Sequence, residues 1–285
     1  MTFTPTGIFV PLITPFTDDG SIADNDLTRL AHRVLDAGAT GIVALGTTAE
    51  ASTLTPEEHH RVVSICGKIC AEYDAPLIVG AGSNDTRASV SAFESLSGTA
   101  DIAAFLTVVP YYSRPSEEGV LAHFRYLADN GPTPLVLYNV PYRTGQSLGP
   151  QAILTLAAHP DIVGIKQSVG AVDTDTAHLI AQAPQGFSVL AGEDTLVSPL
   201  LAMGARGAIL ATANVYPQEF AELFTSWRTG DVETARILGN RMVEPARALM
   251  STPNPTGIKA ALCAAGLIES PEVRLPLITV RESVA

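Results

Sequence analysis

The sequence predicts an α/β fold, a (β/α)8 TIM barrel with a C-terminal helical appendage. Three observations carry that expectation. Eight short apolar runs recur along the chain, and amphipathic stretches of helical period separate them. The runs are rich in Val, Ile and Leu and do not alternate with polar residues, as expected of parallel strands buried on both faces. The 285 residues suffice for one large core with a small addition. A doubly wound open sheet is the competing architecture, but no Gly-rich dinucleotide fingerprint follows the first run.

The runs cover residues 7–15, 41–45, 76–80, 102–109, 135–138, 163–166, 187–191 and 207–210. After the first, residues 26–37 put Leu27, Leu30, Ala31, Val34 and Leu35 on one helical stripe. After the second, Thr55-Pro56-Glu57-Glu58 supplies a cap, a first-turn proline and acids favoured by the helix dipole. Pro115-Ser116-Glu117-Glu118 opens a later helix less cleanly. Asn130-Gly131-Pro132 should end it, with residues tolerant of the left-handed conformation and then a breaker. Beyond the eighth unit, residues 231–250 and 256–265 read as helices. The expected division is a catalytic barrel over 1–228 and a helical extension over 229–285, packed on the barrel without a linker.

The 17 basic and 29 acidic residues give a net charge of −12. Such a surface repels nucleic acid and anionic membranes, so neither is expected as a partner. An anionic small substrate can still bind where the few cations converge. Cys66, Cys70 and Cys263 fit reduced thiols of a cytosol, and Cys66 and Cys70 alone are too few for a zinc site. No basic segment followed by an apolar one opens the chain, and no apolar run reaches the roughly 18 residues that span a bilayer. The expectation is a cytoplasmic protein.

Barrel enzymes carry their reactive groups at the C-terminal ends of strands. In this chain those ends read Gly46-Thr47-Thr48-Ala49-Glu50, Pro110-Tyr111-Tyr112, Tyr138-Asn139-Val140-Pro141-Tyr142-Arg143, Gly164-Ile165-Lys166 and Gly192-Glu193-Asp194. Lys166 continues an apolar strand, so its amine would face a poorly solvated interior. Desolvation disfavours the ammonium form there and exposes the lone pair for imine formation. The alternative is a lysine paired with a core carboxylate such as Glu193 or Asp194. Tyr138, on the neighbouring strand, is either a proton shuttle or a packed barrel tyrosine. Thr47 and Thr48 offer hydroxyls to a substrate or cap the next helix. Arg143 can clamp a carboxylate or pair at the surface. Gly192 stands at the same rim as a candidate lining of the substrate pocket. Tyr111 and Tyr112 either close the pocket or serve a subunit contact. No cluster with metal-ligand spacing is present, and no cofactor is expected.

Taken jointly, Gly46-Thr47-Thr48-x-Glu50, Tyr138-Asn139-x-Pro141 and Gly164-Ile165-Lys166 resemble the dihydrodipicolinate synthase / N-acetylneuraminate lyase family of class I pyruvate aldolases. The likeness runs from about Gly7 to Leu262. It implies Lys166 as the Schiff-base lysine and Thr47, Tyr112 and Tyr138 as a proton relay, with Tyr112 lent by an adjacent subunit of a homotetramer. It implies Thr48 and the backbone of Ile209 at the pyruvate carboxylate, and Arg143 at the carboxylate of the second substrate. The paired threonines, Pro110-Tyr111-Tyr112 and Arg143 favour the synthase branch. That branch condenses pyruvate with L-aspartate 4-semialdehyde to 4-hydroxy-tetrahydrodipicolinate, toward diaminopimelate and lysine. The competing functions are another pyruvate aldolase, such as an N-acetylneuraminate lyase or a 2-keto-3-deoxy sugar acid aldolase, and a non-catalytic keto-acid binder.

Two departures from the family pattern bear on the pocket. Ala49 replaces a usual glycine, which would strain the loop if its φ were positive. Tyr142 replaces a usually small residue and could narrow the entrance. The family's lysine effector site is matched by His59, Asn84 and Tyr111. Ala88 stands where sensitive members carry an acid, and Pro56 where they often carry histidine. The resemblance therefore implies weak or absent inhibition by lysine.

Overall fold

In a computed structural model, described for residues 3–280, eight parallel strands close into a barrel in chain order. Met1, Thr2 and the last five residues of the expected C-terminal extension lie outside the described residues. The strands are β1 (Gly7–Pro11), β2 (Gly41–Ala44), β3 (Leu77–Gly80), β4 (Ala104–Val108), β5 (Leu135–Asn139), β6 (Ile162–Gln167), β7 (Ser188–Ala191) and β8 (Gly207–Ile209). Phe9, Val43, Ile78, Val136 and Leu190 fill the barrel interior, while Val10, Ile42, Phe105 and Leu137 face the surrounding helices. Both faces are dry, which is why the runs carry no polar alternation. The first run is shorter as a strand than as an apolar segment, because the chain leaves the sheet after Pro11.

Closure depends on small residues at the seam between β8 and β1. A Cβ on Gly207 would lie 2.1 Å from the Gly7 carbonyl oxygen, so any side chain there would force the strands apart.

Helices α1 (Asp24–Asp36), α2 (Pro56–Glu72), α3 (Thr86–Ser97), α4 (Glu117–Asn130), α5 (Pro141–Thr144) and α6 (Pro150–Ala157) follow the first five strands, with α5 and α6 sharing one connection. Helices α7 (Thr174–Gln182), α8 (Val197–Ala202) and α9 (Pro217–Thr229) follow the last three. At α2 the cap is a full capping box: Thr55 Oγ1 accepts from the Glu58 N–H, and Glu58 accepts from the Thr55 N–H. Ser116 caps α4 by accepting from Gly119. The end of α4 differs from expectation. Gly131 is extended, with φ −82° and ψ 146°, and not left-handed. It is required by crowding instead, since a Cβ would sit 2.7 Å from the Leu127 carbonyl.

After α9 the chain continues through α10 (Val232–Leu249), packed on α8 and α9, and α11 (Thr256–Ala264). Among the described residues, no helix is long and apolar enough to cross a membrane. Cys66 and Cys70 are buried, and burial raises both thiols well above the ordinary range.

On α4, His123 is buried with Nδ1 against Thr86 Oγ1 at 2.9 Å, and Nε2 has no hydrogen-bond partner among the described residues. Burial pushes its imidazole down to about 4 from an ordinary 6.5. The unfolded chain therefore takes up this proton at a higher pH than the folded one, and acid favours unfolding. Stability should fall as pH drops from about 6.5 toward 4. A His123→Gln variant should show a shallower dependence of melting temperature on pH over that window; equal slopes would exclude His123 as the cause.

Candidate active site

The site is built at the C-terminal ends of β5 and β6, where an irregularity in the sheet decides which way Lys166 points. Leu135 pairs with Ile162, but the next residue, Val136, pairs with Gly164, so Val163 is an extra residue. Val163 faces the interior. Strict alternation from it would turn Lys166 outward. The bulge shifts the parity, placing Lys166 between Tyr138 and Leu190, two interior residues.

Lys166 is 7% exposed, and its Nζ lies 4.4 Å from the centroid of the Tyr138 ring. Among the described residues it makes no ion pair, which removes the alternative of a lysine locked by a carboxylate. Of the two acids considered, Asp194 is committed elsewhere: its Oδ1 accepts from the Thr212 N–H and hydroxyl, both at 2.6 Å. Burial raises the Asp194 and Glu193 carboxyls; the charge of Lys166 opposes this without prevailing. One carboxylate oxygen of Glu193 is buried and has no hydrogen-bond partner among the described residues. Gly192 makes room for the lysine: a Cβ there would lie 2.9 Å from Lys166 Cγ and overlap Ser168 Oγ. Ile209 ends β8, buried in the same interior.

Thr47 and Thr48 lie in a turn of 3-10 helix, Thr47–Ala49, and neither caps α2. Ala49 is therefore unstrained, contrary to the concern raised by its replacement of glycine. The left-handed residue of the loop is Glu50, with φ 54°. Thr47 and Tyr138 line one cavity of about 280 Å³ at the barrel mouth. Thr48 is 3% exposed, and its hydroxyl accepts from Asn254 Nδ2 at 3.0 Å. Asn254 lies between α10 and α11, and sequence reasoning missed it. The only available signal was a polar residue flanked by Pro253 and Pro255 in a segment of no assigned role.

Arg143 is exposed on α5, with its guanidinium carbon 5.2 Å from the centroid of the Tyr142 ring. Tyr142 is 62% exposed and stacks beside Arg143 at the mouth. Tyr112 is not brought to the other candidates within the chain: it is 90% exposed with a left-handed φ of 67°. Tyr111 and His59 line the same cavity as Thr47, and Asn84 donates to the Tyr111 carbonyl at 3.2 Å. The three candidate effector residues are thus neighbours. Among the described residues, no group of three or more His, Cys, Asp or Glu could hold a metal ion. The arrangement offers a buried amine against a tyrosine ring, with Thr47 sharing a cavity with that tyrosine, which suits carbonyl condensation and proton transfer.

Residues 4–285 match the model of the dihydrodipicolinate synthetase family. A 4-hydroxy-tetrahydrodipicolinate synthase of Methanopyrus kandleri is 41% identical, covering 99% of this chain and 93% of the relative. One from Hyphomonas neptunium is also 41% identical, covering 95% and 92%. Among solved structures, a dihydrodipicolinate synthase of Thermotoga maritima superposes with a TM-score of 0.94 at 30% identity, covering 99% of this chain and 95% of that one. A chloride-inhibited dihydrodipicolinate synthase of Acinetobacter baumannii, complexed with pyruvate, superposes at 0.93 with 35% identity, covering 98% and 94%.

Proposed function

Because the chain belongs to the dihydrodipicolinate synthetase family, we propose that it condenses pyruvate with L-aspartate 4-semialdehyde through a Schiff base on Lys166, giving 4-hydroxy-tetrahydrodipicolinate. The observation that carries this reading is the buried amine of Lys166 against the Tyr138 ring, in no ion pair among the described residues.

Lys166 attacks the keto carbon of pyruvate, and loss of water gives an imine. The pyruvate carboxylate is held by Thr48 and the backbone at Ile209, beside Gly192. Loss of a methyl proton gives an enamine, the protonated nitrogen serving as the electron sink. Tyr138 and Thr47 carry protons, joined by Tyr112 from an adjacent copy. A left-handed, almost fully exposed aromatic supports that role, since little of it is covered by the described residues of its own chain. The enamine carbon then attacks the aldehyde, whose carboxylate lies against Arg143. The amine of the second substrate finally displaces Lys166 and closes the ring. No cofactor takes part. A cytoplasmic homotetramer acting in diaminopimelate and lysine biosynthesis completes the proposal.

The discriminating test is the aldehyde. With pyruvate saturating, L-aspartate 4-semialdehyde should turn over and N-acetylmannosamine should not. Turnover of the sugar with none of the semialdehyde would shift the reading to the sugar-acid aldolases. At the effector residues, the ammonium of a bound lysine would find Ala88 in place of a carboxylate. We expect lysine to inhibit weakly or not at all, and micromolar inhibition in a steady-state assay would refute this.

A further inference from the structure

Two buried amides stand directly beside the reactive strand ends and take no part in the steps above. Asn139 ends β5 with no exposure, and Gln167 follows Lys166 on β6 with 4%. They pair in register, and Asn139 Nδ2 donates to Gln167 Oε1 at 3.0 Å. Tyr138 and Lys166 face the barrel interior, so their successors face the helix layer and cannot reach a substrate.

Asn139 also grips Leu148 at two points. Its Oδ1 accepts from the Leu148 N–H at 3.2 Å, and its Nδ2 donates to the Leu148 carbonyl at 3.3 Å. This side chain thereby closes residues 140–147 into a loop. Inside the loop, the buried Thr144 hydroxyl donates to the carbonyls of Val140 and Gln146. Gln167 is braced in turn, with Nε2 donating to Thr176 Oγ1 on α7 at 3.3 Å. The loop carries Arg143 at the mouth. A fixed loop presents a carboxylate holder at a set distance from Lys166 before substrate arrives. A loose one must be ordered by the substrate itself.

We infer that Asn139 and Gln167 are positioning residues that hold Arg143 in register with Lys166, and so set the enzyme's preference for an aldehyde bearing a carboxylate. This rests on the proposed role of Arg143. Gln167→Met keeps the bulk and removes both hydrogen bonds. Gln167→Glu keeps an acceptor for Asn139, and the Thr176 hydroxyl can turn to donate.

Two quantities are read: the semialdehyde concentration at half-maximal rate, and the pyruvate concentration at half-maximal borohydride trapping. Gln167→Met should raise the first about tenfold and leave the second within about twofold. Gln167→Glu should stay within about threefold of wild type in both. If Gln167→Met moves neither quantity, or moves both equally, the inference is overturned. Should Gln167→Met not fold, Asn139→Asp is read in the same way; it keeps the Leu148 N–H bond and loses both donations. Arg143→Leu is the control. If it leaves the semialdehyde constant unchanged, the role of Arg143 fails; if it raises that constant while Gln167→Met does not, only the positioning role fails.

Discussion

Replacing Lys166 with arginine should lower turnover by about 10³-fold or more, because a guanidinium stays protonated and cannot form an imine. The substitution keeps a cation over the Tyr138 ring, so it separates the charge of Lys166 from its chemistry. Were Lys166 only a structural cation packed on an aromatic face, arginine would preserve much of the activity. Gel filtration and melting of the variant would confirm that the barrel is intact. Tyr138→Phe should be milder, a loss of about 10²-fold, since it removes a proton carrier and leaves the amine. Turnover of the arginine variant within tenfold of wild type would contradict the imine route.

Lys259→Met should destabilise the chain by about 3–5 kcal/mol, the cost of stranding a buried charge. Lys259, on α11, has no exposure. Its Nζ lies 2.5 Å from a Glu50 carboxylate oxygen, donates to the Glu272 carbonyl at 2.8 Å and sits over the Phe16 ring. Burial still pushes its amine down to about 8, against the pull of Glu50. Burying two charges offsets much of their mutual attraction, so removing one partner costs more than removing both. The double variant Glu50→Gln with Lys259→Met should recover most of the loss. Urea midpoints at fixed protein concentration would read both effects. A single variant within about 1 kcal/mol of wild type, or a double one no better than the single, would exclude the pair as a keystone.

That ion pair also joins the C-terminal extension to the loop bearing Thr47 and Thr48. The Arg274 N–H donates to Glu50 Oε2, and its guanidinium pairs with Glu58 at the start of α2. With Asn254 on Thr48, the extension braces one wall of the mouth. None of this was legible in the sequence, since these contacts link residues some 200 positions apart and leave no local pattern. Lys259 lies within residues 256–265, which the sequence marks only as helical.

The barrel was legible because its evidence is local. Continuous Val, Ile and Leu runs report strands dry on both faces, and Thr55-Pro56-Glu57-Glu58 reports a helix start. The strand ends therefore located Lys166, Tyr138 and the two threonines along the chain. The direction of Lys166 was not legible, because it turns on one extra residue at Val163 that alternation alone cannot reveal. Gly131 showed the converse limit. A glycine after a helix suggested a left-handed turn, but crowding by the Leu127 carbonyl was the cause. Ala49 raised a concern that belonged one residue later, at Glu50.

The chain contains three lysines, Lys68, Lys166 and Lys259, so the site of imine formation can be assigned without ambiguity. Wild-type protein is incubated with pyruvate, reduced with borohydride and mapped by peptide mass. The expected product carries one reduced pyruvate, on Lys166. A chain that gains no mass, or gains it on Lys68 or Lys259, would contradict the imine at the barrel mouth.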